Sequence, residues 1–436
     1  MQAAALSVLI YLGAACSTGD ADRSDALIAD LETRIPSVVS SGNSPSMQVA
    51  VVHRDRIIWS RGFGEDPSIY SIYMNGSVQK VFTSVAVLQL VEQGILDLDA
   101  DVGSYLPFEV RHPGYPDRRI TLRTMLGHRS GLGAAPHQFD WDTDSTFTKY
   151  RPACPPELLE MSLERFLVES LTPEGINYDE GIWVARPDSR YHYALIVAPM
   201  LRYMIGQVAG ESFPNHMQKN IFDPLGLANS GYSAEPFAER NIIPHTRIDG
   251  KNIELPIWGG NGYMMRTTAE DQARLMLALM GDGRVGAARL LRPETVKLMR
   301  ARTSRFKVLF ESSPDIQHSG EGLGLNLFRG GWIGFGGSTP GYQCLWRFHP
   351  SRQVGYVILS NVNAILGGGD NYASARADIY EVQDALLAVL DPTLKVRSRA
   401  AEAAIVGLVA LASVLAIGHW WRRRPARRLR DQPERA

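Results

Sequence analysis

Gly76-Ser77-Val78-Gln79-Lys80-Val81-Phe82 is the stretch on which the reading of this chain turns. A serine hydroxyl is a weak nucleophile until a base stands within hydrogen-bond reach. Positions i and i+3 share a helix face, so a helix beginning here carries the Lys80 amine beside the Ser77 hydroxyl. The first turn adds unpaired N–H groups and the positive end of the helix dipole, both suited to an oxyanion. Val78, Val81, Phe82, Val85, Leu88 and Val91 extend the helical pattern and Gly94 stops it, which predicts a buried helix behind the serine. Spacing alone is weak evidence, because Ser304-Arg305-Phe306-Lys307 repeats it. That copy has no glycine entry and no apolar helix behind it, and reads as solvated surface.

Working outward, residues Ala21 to Ile35 read as an amphipathic helix that Pro36 stops. Met47–Val52 and Ile57–Arg61 read as strands joined by the turn His53-Arg54-Asp55-Arg56. The middle of the chain, to about residue 300, is mainly helices and Pro/Gly loops. Strands return at Trp332–Phe335, Tyr342–Phe348 and Val354–Leu359, and a helix over Ala373–Leu390 closes before Pro392. Strands at both ends with helices between them predict an α+β (α/β) fold: one antiparallel sheet built from both chain ends, flanked by helices, with an inserted helical region.

The two ends point to a membrane. Residues Ala403 to Trp421 carry no formal charge, close to the span a bilayer-crossing helix requires, with Trp420 and Trp421 at the interface position. Arg422, Arg423, Arg424, Arg427, Arg428 and Arg430 follow and are expected on the cytoplasmic side. Met1 to Ala15 is short and apolar and leads to Cys16, as in a secretory or lipoprotein-like leader. The expected organisation is a leader over 1–20, a catalytic domain over 21–395, a transmembrane helix over 396–421 and a basic cytoplasmic tail over 422–436. That places the domain on the extracytoplasmic, periplasmic side, with membrane lipid as a partner of the C-terminal helix.

Composition excludes several classes. The 436 residues are 45% hydrophobic and 21% charged, as in an ordinary globular protein, and a formal net charge of −1 gives no field for nucleic acid. Cys16, Cys154 and Cys344 are the only cysteines, with no CxxC pair or Cys/His cluster, so neither a metal site nor any other cofactor is expected. A Cys154–Cys344 disulfide is open to an oxidising compartment.

The run from Gly76 to Phe82, continuing through Leu88, Gly94, Leu96 and Leu98 to Leu106-Pro107, resembles the nucleophile helix of serine β-lactamases, penicillin-binding proteins and β-lactamase-like carboxylesterases. Ile120-Thr121-Leu122-Arg123-Thr124-Met125-Leu126-Gly127-His128-Arg129-Ser130-Gly131-Leu132 is similar to a second signature of that family. Ile221 to Leu227 and Thr268-Ala269-Glu270-Asp271 look like two further segments, in family order. The resemblance implies a β-lactamase/transpeptidase-like fold over about 45–390 and an acyl-enzyme mechanism.

It also implies the remaining site residues. Counting back from Val208-Ala209-Gly210, the family's Y-x-N motif falls on Tyr193-Ala194-Leu195, with Tyr193 as proton relay and Leu195 in the substrate pocket where an asparagine usually stands. Tyr191 competes if the alignment slips by two. The family's third motif, a cation-hydroxyl-glycine triplet, falls on Phe335-Gly336-Gly337, which line the pocket without cation or hydroxyl. The backbone N–H groups of Ser77 and Ser338 form the expected oxyanion hole. An aromatic-Gly-Gly triplet is similar to that of the carboxylesterases, so an ester is the leading substrate. A β-lactam or peptide, acted on as by a β-lactamase or a D-Ala-D-Ala carboxypeptidase, is the alternative, and a catalytically silent binding protein of the same fold is a third reading. His128 is expected to be structural.

Overall fold

A computed structural model describes residues 24–40, 42–138, 156–259, 264–305, 317–363 and 369–394. Those up to Pro392 belong to one compact unit. The leader, Cys154, Lys307, the segment 396–421 and the basic tail lie outside the described residues. Among the described residues no helix is long and apolar enough to cross a membrane.

The centre is an antiparallel sheet of eight strands: β1 (Ser46–His53), β2 (Arg56–Gly64), β3 (Ser304–Arg305), β4 (His318–Glu321), β5 (Asn326–Phe328), β6 (Ile333–Thr339), β7 (Tyr342–His349) and β8 (Val354–Ser360). Their spatial order is β2-β1-β8-β7-β6-β5-β4-β3. The N-terminal hairpin thus docks on the last strand, with Met47 opposite Ser360 and His53 opposite Val354. All of β1, β7 and β8 is buried, as expected of strands covered on both faces.

Helices cover the two faces. Trp346 on β7 donates its indole N–H to the Gln272 carbonyl of one helix (Ala269–Met280), while Tyr356 on β8 bonds Gln383 of another (Gly369–Leu390). Trp346 sits opposite Val357 in the register, so Trp346 and Tyr356 point to opposite sides and the two helices sandwich the sheet.

A first helix spans 24–40 and tethers β2 through Glu32, which accepts from the Trp59 indole at 2.7 Å. Pro36 lies inside it instead of ending it. Leu31, Ile35 and Val39 form one buried stripe at four-residue spacing, and burying Val39 outweighs the hydrogen bond that proline forfeits.

The predicted helix behind Ser77 is present. Gly76–Val78 make a 3₁₀ turn that runs into Gln79–Glu92, and most of that helix is buried. A helix apolar on all sides belongs inside a large core, and this one packs against the helix Val197–Ala209 of the inserted region. The second serine-lysine copy differs in kind, since Ser304 and Arg305 form the edge strand β3, where no helical face exists to pair positions i and i+3. Cys344 is a free, buried thiol, so the Cys154–Cys344 disulfide that the sequence left open is not made.

Candidate active site

Three side chains from separate elements meet at one oxygen. The Lys80 Nζ lies 3.1 Å from Ser77 Oγ, one helical turn along, and the Tyr193 hydroxyl reaches the same oxygen at 2.9 Å. The Lys80 amine also sits 5.3 Å from the centre of the Tyr193 ring. Among the described residues no carboxylate forms an ion pair with Lys80. The serine oxygen therefore has an amine and a phenol in position to take and return its proton. Both Ser77 and Tyr193 line a cavity of about 240 Å³, so the nucleophile is reachable.

Tyr193 stands on the extended segment before the helix Val197–Ala209, whose end is the left-handed Gly210 at φ 67°. That segment is clamped by His128. The His128 carbonyl accepts the His192 N–H at 2.8 Å, and its ring nitrogen Nδ1 accepts the Ala194 N–H at 3.4 Å. The imidazole packs on the Tyr193 ring with 4.7 Å between centroids. Burial, reinforced by the nearby Lys80, pushes His128 down to about 3, so at neutral pH it is an uncharged hydrogen-bond acceptor. Its φ of 50° is unusual for a side-chain-bearing residue and is held by those bonds. Tyr191 faces elsewhere, edge-on to His128 and to His318, which settles the two-residue ambiguity in position.

Strand β6 closes the other side of the site. In a hairpin with the two-residue loop Pro340-Gly341, the closing pair Thr339–Tyr342 exchanges hydrogen bonds and the next pair, Ser338–Gln343, turns its N–H groups outward. The Ser338 N–H accordingly faces the 3₁₀ turn: a Cβ placed on Gly76 would stand 2.7 Å from it. A Cβ on Gly337 would overlap the Asn75 carbonyl oxygen and come 3.2 Å from the Ser77 nitrogen. Glycine at 76, with φ 52°, and at 337 lets the 3₁₀ turn and β6 approach closely, with the Ser77 and Ser338 nitrogens at that contact. Such a donor pair is what an oxyanion requires.

Phe335, Gly336 and Gly337 line the cavity as expected, but Leu195 does not. Positions i and i+2 share a side only while the chain stays extended. At Leu195 it already turns into the helix, its carbonyl accepting the Ala198 N–H. Asn326 and Arg347 line the cavity and were not expected from the sequence. They arrive through register, Asn326 opposite Gly334 and Gly334 opposite Arg347. The alternating glycines of Gly334-Phe335-Gly336 were the available signal, since they mark a strand face without side chains. Among the described residues no His/Cys/Asp/Glu group is arranged to hold a metal ion.

A helix-borne serine at the edge of an antiparallel sheet, met by an amine and a phenol, is the arrangement of a serine hydrolase. The Beta-lactamase family matches residues 25–380, and the chain belongs to that family of serine hydrolases. It is 25% identical over 284 residues to the beta-lactamase-like 1 protein of Homo sapiens, covering 60% of this chain and 51% of that one, and so spans about half of that relative. In structure it is similar to an octameric penicillin-binding protein homologue from Pyrococcus abyssi (TM-score 0.67, 22% identity, 83% of this chain and 77% of that chain). It is likewise similar to EstCE1, a hydrolase with promiscuous acyltransferase activity (TM-score 0.62, 19% identity, 83% and 99%).

Proposed function

We propose that the protein is a membrane-anchored esterase working through an acyl-enzyme. Ser77 Oγ attacks the ester carbonyl carbon and forms a new C–O bond while its proton passes to Lys80. The developing oxyanion rests on the N–H groups of Ser77 and Ser338. As the tetrahedral intermediate collapses, the bond to the alcohol oxygen breaks, and Tyr193 delivers the proton to that leaving oxygen. Water then attacks the acyl carbon, gives up a proton by the same route, and releases the acid and free Ser77. The observation that carries this reading is the convergence of Lys80 and Tyr193 on one accessible serine oxygen.

The ester preference rests on what surrounds it. The triplet Phe335-Gly336-Gly337 offers neither the cation nor the hydroxyl with which relatives hold a carboxylate beside a lactam or peptide, and an alkoxide leaves more readily than an amine. Purified protein is expected to hydrolyse p-nitrophenyl butyrate and to leave nitrocefin intact. Turnover of the lactam alone would overturn the ester reading in favour of a β-lactamase-like or carboxypeptidase-like enzyme.

Anchoring rests on the sequence of 403–421 with the arginine cluster behind it, and on the leader. The full chain is expected to stay with membranes through an alkaline carbonate wash and a chain ending at 395 to be released. Release of both would remove the anchor.

A further inference from the structure

The family's second motif ordinarily supplies an asparagine side chain to the site, and position 195 holds leucine instead. The structure brings another carboxamide to the same cavity from a different strand. Asn326, the first residue of β5, lines the cavity that holds Ser77 and Tyr193. Its Oδ1 is shielded from solvent and has no hydrogen-bond partner, and its amide nitrogen makes no hydrogen bond among the described residues. Leaving such a group unpaired costs on the order of 1–3 kcal/mol, which asks for an explanation. Half a turn about its last side-chain bond presents either the carbonyl or the NH₂ end, so the group matches a partner that both donates and accepts.

The route from Ser77 to Asn326 is open because of composition. Gly334 is the cross-strand partner of Asn326, and Gly336 lies two residues along the same face toward Ser338. A Cβ on Gly334 would overlap the Trp346 carbonyl oxygen and press on Arg347, whereas one on Gly336 would meet nothing closer than Leu345 at 3.8 Å. Ser77 and Asn326 therefore line one cavity where β6 runs on beyond its pairing with β5, with Gly334 and Gly336 on the Asn326 side of the strand and Gly337 on the Ser77 side.

Resting on the esterase reading, we infer that Asn326 is a specificity residue that recognises an amide group in the acyl part of the substrate, so that the preferred substrates are esters of N-acylamino acids or similar amide-bearing acids. The acyl part is the portion that stays on Ser77 through both half-reactions, so contacts to it act on acylation and deacylation alike. A carboxamide facing a secondary amide can pair C=O with N–H and N–H with C=O, and a site built for such pairing discriminates strongly against the analogue that lacks it.

The test compares p-nitrophenyl N-acetylglycinate with p-nitrophenyl pentanoate, the same chain with CH₂ groups in place of the C=O and N–H. The quantity read is the ratio of their kcat/KM values after subtraction of spontaneous hydrolysis. Asn326→Leu is expected to lower that ratio about tenfold or more relative to the unmodified protein. Should the leucine variant fail to fold, Asn326→Asp keeps the shape, removes the NH₂ donor and is expected to lower the ratio in the same direction. An unchanged ratio in the folded variant overturns the inference. So does a marked preference of both proteins for mono-p-nitrophenyl glutarate, which would make Arg347 the residue that reads the acyl group. Failure of the unmodified protein to turn over either ester strikes the esterase reading itself and is seen before any variant is made.

Discussion

Ser77→Ala is expected to abolish covalent labelling by a fluorophosphonate probe and to lower kcat for a p-nitrophenyl ester by about ten-thousandfold or more, down to whatever the binding site and oxyanion donors contribute alone. The side chain is partly exposed and, among the described residues, its oxygen is tied to Lys80 and Tyr193 alone, so the melting temperature should barely move. Lys80→Met is expected to fall nearly as far, because an unassisted hydroxyl is a poor nucleophile. The double variant should fall no further than Ser77→Ala, since the two groups act as a unit and their losses do not add. Retained labelling in Ser77→Ala would remove Ser77 as nucleophile. A double variant far below both singles would mean that serine and lysine work independently, against the 3.1 Å contact between them.

Gly337→Ala is the second large effect, and it acts through the backbone. The added carbon would overlap the Asn75 carbonyl and crowd the Ser77 nitrogen, so strand β6 must retreat from the 3₁₀ turn. Retreat separates the Ser77 and Ser338 donors, and losing one such donor is worth about a hundredfold to a thousandfold in kcat. Forced repacking adds about 1–3 kcal/mol of lost stability. The neighbouring Gly336→Ala is the informative contrast, because its new carbon meets Leu345 and the Cys344 carbonyl at ordinary van der Waals distance and nothing closer. Its loss in kcat should be much smaller. Steady-state kinetics of the two variants with one small ester decides the matter: equal losses would mean that the close approach at 337 is not what holds the oxyanion donors together.

Much of this site was legible in the linear sequence because its central parts are local. Ser77 and Lys80 are three residues apart where a 3₁₀ turn runs into a helix, and helical geometry alone brings them together. Tyr193 was reached by counting back from Val208-Ala209-Gly210, and that landmark proved to be a physical helix end with Gly210 in the left-handed region. The sheet built from both chain ends followed from alternating and wholly apolar strands.

What escaped the reading depends on pairing between distant segments. Asn326 reaches the cavity only because β5 registers against Gly334. The part His128 plays depends on a backbone contact with residues 192 and 194, far along the chain. Leu195 was placed by carrying the family motif over position by position, although the chain here already turns into the helix, and Pro36 by weighing local propensity above the tertiary burial of Val39. The proline is a case of long-range structure overriding a local signal.

The docking of the first hairpin on the last strand also has a bearing on how the molecule comes into being. On the ribosome β1 emerges early, yet both β8 and the strands that complete the sheet lie at the far end of the message. Until residue 360 has left the exit tunnel, the apolar β1 has no native neighbour on that edge. Acquisition of the native fold is therefore a late event that closes a very long loop, a slow kind of step and one during which the nascent segment depends on shielding from aggregation.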